Sequence, residues 1–223
     1  YDIKESESKV FAREIPDVRT AFHVMNYQTF YKQTIQRHQL KKAFINEKGL
    51  IDLVQKIISA MYSGAEYDEF QMMKYMLAKH AVSGRMKPIQ IPEVSATNMK
   101  QIAGVIKGTS NEFEFMTDKF NVAGVKNYTE KDKQYLIVNT NFDATMDVEV
   151  LASAFNMGKA EFAGHRVLVD SFGTVDEERL QNIFIDDPSY QPLTAEEKAI
   201  LEDIPAILVD IDYFMIYDNL KEV

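Results

Sequence analysis

Cysteine and tryptophan are absent from this chain of 223 residues, and glycine (9) and proline (6) are scarce. The lack of cysteine excludes disulfides, thiolate zinc sites, iron–sulfur clusters and a thiol nucleophile. The low glycine and proline content argues against a disordered, collagen-like or turn-rich β-barrel chain. No run of about 18 apolar residues occurs, so the sequence predicts no membrane-spanning helix.

Basic residues are outnumbered, 25 against 34 acidic residues, and the net charge is −9. A protein that binds duplex nucleic acid needs a basic stripe to displace counterions. The densest basic group here, Arg37, His38, Lys41 and Lys42, has the spacing of a solvated helix face. The 46% hydrophobic content is that of a globular protein with one large domain or two small ones. Because the first residue is Tyr1, we expect a piece of a longer protein.

The strongest periodicity lies between Leu50 and Gly84. Apolar residues recur there at steps of three and four, which predicts a helix of about 34 residues, roughly 50 Å long. Lys79 and His80 fall in its last turn, where positive charge is favoured, and Gly84 suits the residue that follows a helix. No heptad pattern with charged flanks runs through it, so we predict the spine of an elongated subunit rather than a coiled coil.

Shorter elements flank this helix. Residues 17–35 alternate as extended chain does, and a short helix at 40–45 is followed by a predicted turn at 46–49. The remaining predicted elements are strands at 89–94, 135–138, 166–169, 206–209 and 213–217, and helices at 97–108, 147–155 and 195–203. Thr194 and Glu197 form a capping box before the last helix. Segment 171–204 is acidic and loop-rich, which predicts a surface insertion.

Recognisable catalytic motifs are missing from the sequence. It contains no P-loop, no dinucleotide-binding glycine pattern and no nucleophile elbow. The four histidines, His23, His38, His80 and His165, include no His-x3-His pair for a metal. Ser171, beside Asp170, is better explained as a turn cap than as a nucleophile. We therefore predict no catalytic, cofactor-binding or metal-binding residues.

Asp210 and Asp212 provide the one enzymatic alternative. Two carboxylates two residues apart at a strand end can hold Mg²⁺ or Mn²⁺, as in Asp-x-Asp glycosyltransferases and in phosphohydrolases with an aspartyl nucleophile. The competing interpretation is an aspartate-containing turn between two apolar strands. An α+β chain with a long helix, an extended arm and no evident active site favours a structural or assembly subunit over a metal-dependent transferase or phosphohydrolase.

Four stretches of the chain, which include Ser63-Gly-Ala-Glu-Tyr-Asp-Glu-Phe70, Ala154-Phe-Asn-Met157 and Tyr217-Asp-Asn-Leu220, together resemble the major capsid protein of phi-29-like short-tailed bacteriophages. They lie at 9–44, 63–74, 147–164 and 207–220, in the family's order, and their quoted residues touch about half of the chain. The most specific matches are Ala154-Phe-Asn-Met157 and Tyr217-Asp-Asn-Leu220. No single stretch is a chemical motif, so the resemblance depends on all four occurring together.

The resemblance implies an HK-97-like phage capsid fold, an α+β architecture with an extended loop, a long spine helix and a mixed axial domain. Residues 1–36 would be the returning half of the extended loop, and 37–84 the peripheral domain with the spine helix. Residues 85–223 would be the axial domain, with the acidic insertion at about 171–204. The implied function is a non-enzymatic structural subunit that self-assembles into the icosahedral shell around a double-stranded DNA genome.

The implied partners are other copies of the chain in hexamers and pentamers, a scaffolding protein, the portal, and packaged DNA enclosed without sequence-specific binding. No membrane and no cofactor are implied. The implied location is the virion, after assembly in the bacterial host cytoplasm. On this resemblance, the family's N-terminal arm and the first half of its extended loop would precede Tyr1, and its last peripheral strand would follow Val223. The resemblance does not extend to the family's immunoglobulin-like domain. A cellular compartment shell of the same fold, enclosing protein cargo, is a further alternative.

Overall fold

The computed structural model describes residues 31–45, 47–148, 165–185 and 187–213. Within these residues the chain forms helices and strands in mixed order. They are α1 (Arg37–Ala43), α2 (Glu47–Val82), α3 (Met99–Glu112), β1 (Gln134–Asn139), α4 (Thr140–Met146), β2 (His165–Val169), α5 (Glu177–Ile183), α6 (Ala195–Glu202) and β3 (Ala206–Asp210). Short 3-10 helices occupy Lys131–Lys133 and Ile211–Tyr213. The mixture of helix and sheet agrees with the predicted α+β class.

The long helix predicted from periodicity is confirmed, and α2 spans 36 residues. Its start differs from the prediction, because Glu47 already belongs to the helix where a turn was expected. Gly49 lies inside α2 at a close approach to α1, where a Cβ atom would be 3.0 Å from the carbonyl oxygen of Ala43. The helix ends as predicted, with Gly84 in the left-handed region at a φ of 74°. No helix among the described residues is long and apolar enough to cross a membrane.

The described strands form one sheet in the order β2-β1-β3. The central strand β1 pairs parallel with β2 and antiparallel with β3, so that Ile137 lies opposite both Val167 and Ile207. The strands predicted at 135–138, 166–169 and 206–209 are each present, extended by one or two residues. Side chains of β1 alternate between the two faces of the sheet, as a strand buried on both sides requires.

Each face of the sheet contributes to a separate hydrophobic core. Leu136 and Val138 of β1 pack with buried residues of α3 and α4, namely Met99, Ile102, Ala103, Phe142 and Met146. The opposite core contains Ile207 and Val209 of β3 with Leu77, Ala78, Val169, Phe172, Leu193 and Leu201. The sheet is therefore the middle layer between α3 and α4 on one side and α2 on the other.

The strand predicted at 89–94 is wrong, since residues 87–93 have no regular secondary structure. Pro88 and Pro92 both lack the N–H group that a sheet ladder needs. The apolar residues of this segment pack through side chains instead, and Ile91 lies against the core formed with α3.

Segment 171–204 is more ordered than the predicted loop-rich stretch. It contains α5 and α6, both packed on α2, and the capping box of α6 is present as predicted. Phe172, Leu180 and Leu201 have no exposed surface. The apolar residues of this segment are widely spaced and have no clear period, so the sequence pattern did not predict this packing. Whether the segment is an insertion stays a prediction.

A row of polar contacts joins the second half of α2 to residues 170–197, and we call this row the seam. Arg179 donates from Nε to Asp68 Oδ1 at 2.5 Å, and Tyr31 donates to Asp68 Oδ2 at 2.6 Å. Lys74 pairs with Asp170, and Lys79 Nζ lies 2.8 Å from Glu197 Oε2. Burial alone would raise the pKa of Asp170, but the hydrogen bonds from Lys74 and Ser171 outweigh it and hold that pKa below its usual range.

Some predicted elements lie outside the described residues. These are residues 1–30 of the extended arm, nearly all of the helix predicted at 147–155, and the strand predicted at 213–217 except for Tyr213, which belongs to a 3-10 helix. The boundaries of the extended loop, peripheral domain and axial domain stay predictions.

Candidate assembly surface

Asp210 and Asp212, the enzymatic alternative, form a turn. Asp210 Oδ2 accepts a hydrogen bond from Thr129 Oγ1 at 2.7 Å, and Oδ1 accepts one from the backbone N–H of Asp212 at 2.8 Å. Both oxygens of Asp210 therefore have a partner within the fold. Among the residues described, no group of three or more histidine, aspartate or glutamate side chains could hold a metal ion. The metal-dependent transferase or phosphohydrolase receives no support from this geometry.

The other residues considered from the sequence also have structural contacts. Ser171 Oγ accepts a hydrogen bond from the backbone N–H of Gly173 at 3.2 Å, so the predicted turn cap is confirmed. His80 Nδ1 lies 3.3 Å from the hydroxyl of Tyr213, and burial, assisted by Arg85, lowers the pKa of His80. The ring of His165 lies 4.9 Å from that of Tyr135. His38 is exposed, and His23 lies outside the described residues.

The connection between α3 and β1, residues 113–130, forms an ordered loop that the sequence analysis did not predict. Thr117 and Asn127 exchange two backbone hydrogen bonds of 3.0 Å, which close the loop like a hairpin. The turn at its tip is built by Asn121, whose side chain accepts from the N–H of Ala123 at 2.9 Å, and by Gly124 with a φ of 67°. Asparagine and glycine suit these positions because one bonds locally and the other tolerates positive φ.

A buried polar cluster anchors the base of this α3–β1 loop. The Gln134 side chain has no exposed surface, and its Nε2 donates to the carbonyl oxygens of Ser110 and Thr129, both at 3.0 Å. Ser110 Oγ in turn donates to Gln134 Oε1. The Thr129–Asp210 bond fixes the same end of the loop to β3. Because these buried groups are satisfied only in this arrangement, the loop has a defined conformation.

An apolar trough of about 650 Å³ lies between this loop, α3, the 85–91 segment and β3. Its walls include Ile89, Val105, Ile106, Phe120 and Leu208. The charged residues that line it are Arg85, Lys87, Asp203 and Asp210. Such a surface suits apolar side chains of a partner.

The loop also exposes large apolar side chains to solvent. Phe115 is 71% exposed and Met116 is 68% exposed, and neither lines the trough. Val122 and Tyr128, which do line it, are each 51% exposed. Clustered exposed apolar groups of this kind mark interaction sites more often than solitary ones do.

The sequence contained only weak signals of this surface. Phe113, Phe115 and Phe120 are spaced apolar residues in a stretch to which the sequence assigns no element, because an apolar residue in a loop and one in a core look alike in composition. The Asn121-Val-Ala-Gly124 turn was the one local signal that could have indicated a closed loop. Exposure of Phe115 follows from the tertiary arrangement, which no local pattern encodes.

The described part of the molecule thus combines a hydrogen-bonded polar cluster at Gln134 with large apolar groups at the surface, as in a protein that acts by association. Comparison with known proteins identifies which class of assembly protein this is. The family described as "Phi29-like phage major capsid protein" matches residues 1–223, and the chain belongs to that family.

Individual relatives agree with the family assignment. The chain is 32% identical to the major capsid protein of Bacillus phage GA-1, covering 99% of this chain and 42% of that protein. It is 31% identical to that of Bacillus phage PZA, covering 100% of this chain and 44% of the relative. The major capsid protein of Streptococcus phage Cp-1 is 28% identical over 77% of this chain and 50% of its own length. The chain therefore spans at most half of each of these relatives.

Proposed function

We propose that this chain acts as part of a major capsid subunit that self-assembles into an icosahedral shell around double-stranded DNA. The observation that carries the proposal is the family match over the whole chain. The ordered loop with exposed Phe115 and Met116 supports it, because a shell subunit needs preformed apolar surface for contacts with its copies. Many modest contacts repeated by symmetry sum to a stable assembly.

The finer features of the proposal come from the family resemblance. They are the HK-97-like fold, with residues 1–36 as the returning half of the extended loop, 37–84 as the peripheral domain and 85–223 as the axial domain. A scaffolding protein and the portal are proposed as partners, and the host cytoplasm as the place of assembly. A structural subunit of this kind needs no catalytic, metal or cofactor site.

An assembly experiment tests the proposal directly. Light scattering and negative-stain microscopy are carried out on this chain beside the major capsid protein of Bacillus phage GA-1, under the same conditions. We expect concentration-dependent association of this chain and shells or rings of the longer protein. A chain that stays monomeric at every concentration at which the GA-1 protein assembles would contradict a role in self-assembly.

The acidic balance of the chain supports a second part of the proposal. A net charge of −9 opposes adhesion to DNA, so a shell wall of this composition would let the genome slide during filling. We expect no shift of a duplex DNA fragment by this chain in a gel assay at physiological salt. Salt-dependent binding would show instead a basic face that holds the genome.

Calorimetry separates the capsid role from the metal-dependent alternative. Because both oxygens of Asp210 already accept hydrogen bonds, titration with Mg²⁺ or Mn²⁺ should give no binding heat. The Asp210→Asn variant should behave identically in this titration. Binding heat from the wild-type chain that is absent from the Asp210→Asn variant would show that Asp210 binds a metal ion.

A further inference from the structure

The α3–β1 loop contributes to two different apolar surfaces. One is the trough, and the other is the pair Phe115 and Met116, which we call the knob. From this arrangement, and relying on the proposed capsid function, we propose that the knob of one copy of the chain inserts into the trough of a neighbouring copy.

The exposure of the knob is the first argument. Phe115 and Met116 are 71% and 68% exposed, although the loop that holds them is closed by the Thr117–Asn127 bonds and anchored at Gln134. An ordered loop that directs two large apolar groups to solvent has no stability reason to do so. Aromatic and methionine side chains are also the types enriched at the centres of protein interfaces.

Charges on the two surfaces are complementary. Glu114 and Asp118 flank the knob, and neither lies within ion-pair distance of a basic group that the structure describes, although the charge of Glu114 acts on Lys131. Lys87 at the trough is likewise without an ion pair among the described residues, and Arg85 lies two positions before it. Two acidic groups also line the trough: Asp210, which accepts hydrogen bonds from Thr129 and from the backbone of Asp212, and Asp203. The knob is thus acidic where the 85–91 side of the trough is basic.

The geometry of the two surfaces also favours a second copy as the occupant. The knob and the trough are distinct patches of one chain, so contact between them is heterologous: each copy gives its knob to one neighbour and receives a knob from another. Contacts of this type continue into closed rings or extended arrays, whereas a self-complementary patch stops at a dimer. Growth beyond a dimer is what a shell of many copies requires.

The absence of cysteine provides a clean test. Met116→Cys is introduced into one preparation and Ile89→Cys, in the trough, into a second preparation that carries a size tag. The two are mixed and oxidised, and mixed disulfide dimers are resolved on a non-reducing gel. A mixed dimer can form only between copies, and its sulfur atoms must come within bonding geometry. The matched control replaces Ile89→Cys by Lys56→Cys, which lies exposed on α2.

We expect a mixed-dimer yield several-fold higher with Ile89→Cys than with Lys56→Cys. Equal yields at both positions would overturn the knob-and-trough contact. That result would leave the capsid proposal untouched, because self-assembly is decided separately by light scattering of the unmodified chain.

A charge reversal tests the same contact without cysteine. Glu114→Lys should weaken association about tenfold in sedimentation experiments, the size expected for an interface residue of moderate importance. Combining Glu114→Lys with Lys87→Glu in the same chain should restore association, because each copy then presents the opposite pair of charges. A double variant that associates no better than Glu114→Lys alone would also overturn the inference. Circular dichroism checks that both variants keep the wild-type fold.

Discussion

The two halves of α2 have similar sequence patterns but different surroundings. In the second half, Asp68, Gln71, Lys74, Leu77 and Ala78 are buried under the segment 170–204. In the first half none of the described side chains from 48 to 66 is buried, and Ile51 and Val54 are 57% and 46% exposed. The apolar period runs through both halves. Periodicity therefore predicted the helix, but it could not show which part of the helix this chain covers.

The covered half also differs in the chemistry of its contacts. Its seam to residues 170–197 includes ion pairs and hydrogen bonds, with Leu77 and Ala78 supplying the apolar contacts to the core. Polar groups at a packed surface must all find partners, so they specify one relative position of the packed elements. The uncovered half carries mainly apolar groups. Such groups can contribute buried area to a contact, but they do not fix the position of a packed element along the helix.

The largest expected effect comes from removing a core side chain of the covered half. Leu77 is 3% exposed, so Leu77→Ala should lower the free energy of unfolding by about 2–5 kcal/mol. Val54→Ala in the uncovered half should change it by less than about 0.5 kcal/mol. Chemical denaturation followed by circular dichroism measures both. Equal losses at the two positions would show that the first half is packed as tightly as the second.

The next effect concerns the most buried ion pair of the seam. Arg179→Ala leaves Asp68, whose side chain is 3% exposed, without its main partner. Loss of a fully buried pair costs about 3–5 kcal/mol, and because Arg179 is itself 41% exposed we expect about 2 kcal/mol here. Lys198→Ala, which removes a partly exposed pair with Glu177, is the control and should cost less than about 1 kcal/mol. A smaller loss at Arg179 than at Lys198 would show that the seam does not fix α5 on α2.

A smaller effect should follow from removing the cap of α6. Thr194 Oγ1 accepts from the backbone N–H of Glu197 at 3.2 Å, so Thr194→Ala should destabilise the chain by about 1 kcal/mol. Ile200→Ala, at an exposed position of the same helix, should have an effect below about 0.5 kcal/mol. Denaturation midpoints at constant slope provide the comparison. If the two variants were equally stable, the capping box would have no role in holding α6 on α2.

The smallest expected effect is a dependence on pH. The hydrogen bond from Lys79, helped by the backbone of Thr194, lowers the pKa of Glu197 below its ordinary value of 4.5. A lowered carboxyl pKa gives stability that is present above the ordinary value and is lost as the pH falls through the folded-state value. Glu197→Gln should thus cost up to about 1 kcal/mol at neutral pH and flatten the loss of stability on acidification.

Denaturation at several pH values measures this effect. Glutamine retains an acceptor for the N–H of Thr194, so the capping box is preserved while the charge is removed. Glu196→Gln, on the exposed side of the same turn, provides the control and should leave the pH profile unchanged. A Glu197→Gln profile parallel to that of the wild-type chain would refute the contribution of the Lys79 pair.

Local signals predicted most of the regular structure. The period of three and four residues predicted α2, and short β-rich runs predicted the three strands. Thr194 with Glu197 predicted the start of α6. The strand predicted at Ile89–Val94 is absent because Pro92 has no N–H group for a sheet ladder, which its apolar neighbours do not replace. α4 was missed because Thr140–Met146 is short and carries few helix-specific signals.

The candidate surface was harder to predict than the fold. Polar side chains are usually exposed, but Gln134 and Ser110 are buried. Phenylalanine is usually buried, but Phe115 is exposed. The burial of Gln134 and Ser110 depends on tertiary contacts. These two residues bond to each other across 24 positions, and Thr129, which bonds to Gln134, also bonds to Asp210, 81 positions away. A composition-based argument therefore identified the absence of catalytic motifs but could not locate the contact surface.

The contacts of the seam join residues that are far apart in the sequence, and this separation has a consequence for synthesis of the chain. Asp68 cannot bond to Arg179 until 111 further residues have been synthesised, and Tyr75 cannot bond to Gln191 until 116 further residues have been synthesised. At a translation rate of about 5–20 residues per second, the ribosome needs about 5–20 s to deliver the missing partner. During that interval the face of α2 formed by Asp68, Gln71, Lys74 and Lys79 can be hydrated, which an all-apolar face could not be. We expect the polar seam to keep this face of α2 hydrated and so to limit aggregation of the nascent chain until residues 170–197 have been made.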